Sequence, residues 1–309
     1  MKYTDFQEKR RFAQKIVVPA LIEHGYDQKA IRIAKCGFFK HVALCTTCKT
    51  AYFNGASTCK DRFCPVCQKK RSLLWLAKLY PIFDNLINKG YIVNFLTLTI
   101  KDTESLKEGL DLLLGAFRVM QHDDKNMSKQ FNNLFIGGIR ALEVKMGANS
   151  KLWHPHLHML VVKNKKSKDF EIIKNMWEKA LQVVSGKKEK LGSVDIRNIS
   201  FTTETGQKKF GRQALLQGIC ECFKYLTKSS WQMENIPEMI ETLAKVHSLS
   251  SWGNIRYYLA KQNAEREIEK EMDMTETELE HHVCKVCGDD AFIFISDANV
   301  QHMQLESFD

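Results

Sequence analysis

The chain has 309 residues, 44% of them apolar, and a formal charge of +10 from 46 Lys and Arg against 36 Asp and Glu. That length holds a main domain of ordinary size with small appendages, and the basic excess favours a polyanionic partner, nucleic acid before anionic membrane. No stretch is long and apolar enough to span a bilayer, and the opening "MKYTDFQEKRRF" lacks a signal-peptide core; the expected location is the cytoplasm, which argues against a disulfide framework for ten cysteines.

The first thirty-odd residues read as a charged helical lead-in, and Cys36 to Cys67 as a stretch rich in Cys, Thr and Gly with no long periodic segment. An amphipathic helix follows from about Lys69 to Asn88, stopped by Gly90. "YIVNFLTLTI" (Tyr91 to Ile100) reads as a strand and Glu104 to Met120 as a helix. "FIGGIRALEVKM" (Phe135 to Met146) and "HPHLHMLVV" (His154 to Val162) form two strands joined by a hairpin-like loop. A helix over Asp169 to Val184, a short strand over Ser193 to Ile199 and a helix over Gly211 to Lys228 complete the series. This order is the ferredoxin-like split βαβ pattern of an α+β protein, an antiparallel sheet with helices on one face. After Trp231 the chain reads as all-helical, charged from Lys261 to Glu280, with a small cysteine-containing tail. The expected domains are an N-terminal cysteine-rich module over 1–72, a main domain over 73–232 and a helical extension over 233–309.

The cysteines are clustered. "CTTC" (Cys45, Cys48) and "CPVC" (Cys64, Cys67) lie fifteen residues apart, a spacing at which four thiolates close around one tetrahedral Zn²⁺. Cys36, His41 and Cys59 are alternates, so another choice of four or a second ion stays open. In "KDRFCPVCQKKR", Lys60, Arg62, Lys69, Lys70 and Arg71 either contact DNA or form a solvated rim. "HHVCKVC" supplies one further pair, Cys284 and Cys287, with His281 or His282 as candidate additional ligands; the pair alone does not complete a site.

Three histidines, His154, His156 and His158, alternate along one strand and so share one face. Glu143 on the hairpin partner can join His156 and His158 in a three-ligand site for Mg²⁺ or Mn²⁺, with open positions for phosphate oxygens. In "ECFKYLTK", Glu221, Tyr225 and Lys228 stand at i, i+4 and i+7 on one helix face. A phenol beside a divalent ion and a lysine can attack a phosphodiester, and a glutamate one turn away can activate water. Taken alone, Tyr225 reads first as a half-buried helix residue, with Glu221 and Lys228 as solvated charges.

"FLTLT" (Phe95 to Thr99), "HPHLHML" and "ECFKYLTK", in this order, resemble the three motifs of the His-hydrophobic-His endonucleases. More narrowly the chain is similar to the single-tyrosine replication initiators (Rep) of rolling-circle plasmids, which also carry a cysteine-rich stretch before the first motif. The resemblance covers about Cys36 to Ser230. It implies the fold of that endonuclease core, with Tyr225 as nicking nucleophile, His156 and His158 as metal ligands and Glu143 as a third ligand outside the motifs. It further implies that Glu221 directs hydrolysis at termination and that Lys224 and Lys228 hold the scissile phosphate or DNA backbone. "FLTLT" would pack beside the histidine strand without supplying catalytic groups. The implied partners are a plasmid double-strand origin, a single-stranded nick site, and a host helicase and DNA polymerase. A zinc-containing transposase with the same chemistry and a non-catalytic zinc-finger regulator are the rival readings.

Overall fold

The computed structural model describes residues 3–147, 150–163, 170–188, 191–199, 201–202, 208–209, 211–224, 235–273, 283–288, 290–297 and 305. In chain order the elements are α1 (Tyr3–Phe12), α2 (Val18–Glu23), α3 (Asp27–Lys35), β1 (Lys40–Cys45), β2 (Ala51–Ala56), α4 (Pro65–Asn88), β3 (Ile92–Ile100), α5 (Leu106–Arg118) and α6 (Lys125–Leu134). They continue with β4 (Gly137–Met146), β5 (Trp153–Lys163), α7 (Phe170–Ser185), β6 (Gly192–Asn198), β7 (Phe201–Thr202), β8 (Lys208–Lys209) and α8 (Arg212–Lys224). The last are α9 (Ile236–Leu243), β9 (Leu249–Trp252), α10 (Gly253–Lys261), α11 (Ala264–Asp273) and β10 (Phe292–Asp297). The architecture is mixed α and β with antiparallel sheets. Two compact units form, Met1–Leu74 with Gln232–Pro237 and Arg266–Asp309, and Trp75–Trp231 with Glu238–Glu265. Among the described residues no helix is long and apolar enough to cross a membrane.

The second unit is built on a five-stranded sheet in the order β6-β3-β5-β4-β9. Period-two alternation sends Val93, Phe95, Ile139, Ala141, Leu160 and Val162 to one face, where α4 from Leu79 to Leu86, α8 and α10 cover them. The other face carries Leu157, Met159 and Val161, and α5 packs against it. The α7 side chain Trp177 donates from Nε1 to the Thr99 carbonyl at 2.9 Å. Helices therefore cover both faces, not one as the element order suggests. Strand β5 is buried at every position from Pro155 to Lys163, which is why "HLHMLVV" reads as a near-continuous apolar run instead of a polar-apolar alternation.

The region after Trp231 is not all-helical. Strand β9 pairs with β4 as a short edge, Gly138 opposite Trp252. A Cβ on Gly138 would stand 2.6 Å from the Trp252 ring, so only glycine lets that indole lie flat on the sheet. Trp252 in turn packs on Phe117 and Phe131 at 5.9 Å between centroids.

The first unit holds α1 to α3 and the three-stranded sheet β10-β1-β2. The Phe6 ring of α1 lies 4.9 Å from that of Phe53 on β2. Gly37 turns the chain into β1 at φ 73°, and a Cβ there would collide with Phe6 at 2.6 Å. Buried Asp61 organises the loop before "CPVC": Lys29 and Arg32 pair with it at 3.0 and 2.6 Å, and the Phe63 N–H donates to it at 2.9 Å.

Candidate metal centres

The sheet register assembles a carboxylate and two imidazoles. His156 on β5 stands directly opposite Glu143 on β4, and His158 opposite Thr97 on β3. Glu143, His156 and His158 are all buried, at 3, 3 and 6% exposure. Both ring Nε2 atoms face the same carboxylate oxygen, His158 at 3.0 Å and His156 in closer contact. Burial works against a charge on Glu143, yet hydrogen bonds from the two imidazoles and the nearby charges of His156 and Lys145 hold its pKa down to about 2.

The tautomer of His156 is compatible with a cation between them. His156 Nδ1 lies 3.2 Å from the His154 carbonyl, which can only accept, so that nitrogen carries the proton. A neutral ring then presents a lone pair at Nε2 to an ionised carboxylate. Two acceptors meet stably only when the ring takes a second proton or a cation sits between them. Two nitrogens and one carboxylate oxygen within 4.8 Å of one another fit a divalent ion with positions left over.

Two flanking residues escape a reading of the sequence alone. Thr97 Oγ1, inside "FLTLT", lies 3.2 Å from His158 Nδ1 and orients that ring, so this strand supplies more than packing. His154, the third histidine of the run, donates from Nδ1 to Asp102 at 2.6 Å, and Ser150 also contacts Asp102. The Ser150 hydrogen bond holds the Asp102 carboxyl below its ordinary range despite partial burial, with His154 adding to the effect. The signal for Thr97 was the register of two alternating strands; for Asp102 there was none beyond its place just after β3.

Helix α8 lies over the histidine-bearing face. Its Leu215, Ile219, Cys222 and Phe223 join the core there, and Cys222 Sγ lies 3.5 Å from the His158 carbonyl. Glu221 and Lys224 belong to this helix, which has Lys224 as its last described residue; their side chains, and Tyr225 and Lys228 entirely, lie outside the described residues.

The cysteines divide differently from the expected foursome. Cys64 and Cys67, at the start of α4, meet Cys36 and Cys59, while Cys45 and Cys48 meet Cys284 and Cys287. In the first cluster Cys67 Sγ is 3.6 Å from both Cys36 and Cys59. Proton sharing among the sulfurs pushes Cys36 and Cys64 up and Cys59 and Cys67 down. A tetrahedral zinc with Zn–S near 2.3 Å puts its sulfurs about 3.8 Å apart, which suits this spacing. The pairing of Cys-x-x-Cys motifs by sequence distance fails because Asp61 and β1 hold the two knuckles in different places. The nearby cations are partly buried: Lys69 lies 3.6 Å from Asp5, burial lowers the Arg62 guanidinium, and Lys70 and Arg71 follow on α4.

Fold and clusters together define a mixed α/β protein with an interior imidazole–carboxylate site and two cysteine clusters of a geometry that could hold metal. The family model described as "Replication protein" matches residues 50–295. The chain belongs to that family, the Rep plasmid initiators that its three motifs resemble. It is similar to "Protein rep" of Streptococcus pneumoniae serotype 2 (strain D39 / NCTC 7466), 30% identical over 67% of this chain and 62% of the relative. "Protein rep" of Bacillus amyloliquefaciens is 24% identical over 82% of this chain and 76% of its own length. "Protein rep" of Staphylococcus aureus is 25% identical over 53% and 69%. The chain thus spans less than two thirds of the first of these relatives. No solved structure matches.

Proposed function

We propose that the chain initiates rolling-circle replication of a plasmid by nicking one strand at its double-strand origin. The observation that carries this reading is the convergence of Glu143, His156 and His158 beneath helix α8, whose sequence continues into Tyr225. The arrangement suits the endonuclease core of the His-hydrophobic-His class, here with helices on both sheet faces. The three side chains would hold Mg²⁺ or Mn²⁺, which when bound polarises a phosphodiester oxygen. Tyr225 attacks phosphorus and gives up its phenolic proton; the tyrosyl O–P bond forms as the P–O3′ bond breaks, and the freed 3′ oxygen takes up the proton the phenol lost, through solvent. The product is a 5′-phosphotyrosyl protein with a 3′ hydroxyl that primes a host polymerase, while a host helicase opens the duplex. Lys224 and Lys228 hold the phosphate backbone, and Arg62, Lys69, Lys70 and Arg71 contribute to duplex contact. Glu221 accepts a proton from water for the terminating cleavage. Cys36, Cys59, Cys64 and Cys67 hold a structural Zn²⁺.

Incubating the protein with origin DNA and Mg²⁺ or Mn²⁺ should yield a covalent adduct whose mapped peptide contains Tyr225. Tyr225→Phe should abolish it, and an undiminished adduct removes this residue from the role. Glu221→Ala should still nick but release DNA poorly; wild-type release kinetics would rule out its part in hydrolysis.

A further inference from the structure

The second cysteine cluster joins segments 236 and 242 positions apart: Cys48 Sγ lies 3.4 Å from Cys284 Sγ, and Cys45 Sγ 3.5 Å from Cys287 Sγ. Disulfide sulfurs stand about 2.05 Å apart. Four sulfurs within 4.8 Å of one another, in two Cys-x-x-Cys pairs, match the edges of a tetrahedron around one zinc.

The two turns are built alike, although nothing in their sequences beyond the cysteines is shared. Lys49 follows Cys48 at φ 63°, and Gly288 follows Cys287 at φ 77°. The Lys49 N–H donates to the Cys45 carbonyl at 3.1 Å, and the Gly288 N–H to the Cys284 carbonyl at 2.7 Å. A left-handed residue at this point curls the backbone so that its N–H groups gather on the concave side, where anions are stabilised. Lysine takes that conformation at a cost, which a fixed ligand position offsets. On the far side the Tyr52 hydroxyl, fully buried, accepts from the Lys285 N–H at 2.9 Å and lies 3.3 Å from Cys284 Sγ.

The local core does not hold this junction alone. Its apolar groups are Ala43, Tyr52 and Phe292 together with Cys45, Cys48 and Cys284, so half are the cysteines themselves. Yet β10 pairs along the whole of β1, from Lys40 opposite Asp297 to Cys45 opposite Phe292, and the Thr46 N–H extends the ladder to the Ala291 carbonyl at 3.0 Å. An ion anchored at the Cys45 end would fix the register of the whole edge strand.

We propose that Cys45, Cys48, Cys284 and Cys287 bind a second Zn²⁺, separate from the ion at Cys36, Cys59, Cys64 and Cys67, and that it clasps β10 onto β1. The proposal is independent of the nicking chemistry. Full-length protein reconstituted with Zn²⁺ should carry two zinc ions per chain by native mass spectrometry and elemental analysis. Cys284→Ser/Cys287→Ser should carry one, and only in that variant should β1 and β10 amides lose hydrogen-exchange protection while β5 keeps its own. Cys36→Ser/Cys59→Ser should also carry one, with β10 still protected. On the unaltered chain, which avoids any variant that does not fold, graded chelation should release one zinc together with alkylation of Cys45, Cys48, Cys284 and Cys287 as a set. Fewer than two zinc ions per reconstituted chain, or alkylation of Cys284 and Cys287 with both ions retained, overturns the proposal.

Discussion

The imidazole–carboxylate site and the cysteine clusters rest on different foundations. Glu143, His156 and His158 hang on the middle strands of a sheet packed by helices on both faces, among Phe95, Ile139, Leu160 and Ile219. Their positions follow from strand register, which the surrounding core enforces with or without an ion. Cys45, Cys48 and Cys284 sit at a strand end and in tight turns with few apolar neighbours, so an ion held there would supply much of the local folding energy. A site that needs open positions gains from a rigid preformed cradle, whereas a site that only joins chain segments can be as small as its four donors.

That contrast can be broken by removing metal. Apparent zinc-binding free energies of about 10–16 kcal/mol in small zinc domains imply that strong chelation should abolish exchange protection in β1, β2 and β10 and leave β3, β4 and β5 protected. Simultaneous loss in both regions would show that the two are not held differently. A smaller effect is expected for Glu143→Gln, which removes the charged ligand but keeps the volume. Mn²⁺ affinity by calorimetry should fall about 100-fold, or about 2.7 kcal/mol, with a nearly unchanged melting temperature. A large drop in melting temperature would mean that the carboxylate holds the sheet together. Thr97→Val should cost least, about tenfold in Mn²⁺ affinity, by freeing the His158 ring to rotate; unaltered affinity would reduce Thr97 to a packing residue.

Much of the second unit was legible in the chain. The alternation in "HPHLHML" and "ALEVKM" put Glu143, His156 and His158 on shared faces, and β3, β4, β5 and β6 appear close to their expected bounds. The short, half-buried β9 was hidden because "LSSW" has no alternation to reveal it, and its place depends on Trp252 finding Gly138. Strand β10 was missed as well, since the region after Trp231 reads as helical, and its neighbour lies far away in the N-terminal hairpin.

The sequence by itself determined what depends on near neighbours: helix and strand periodicity, the shared face of alternate histidines, and the Cys-x-x-Cys turns. Only the tertiary structure decided which cysteine pair meets which, that Thr97 and Asp102 steer the imidazoles, and that helices cover both sheet faces. Those outcomes are set by contacts between residues far apart in the chain, whose partners are chosen by packing and register across the whole unit and leave no local trace in spacing or composition.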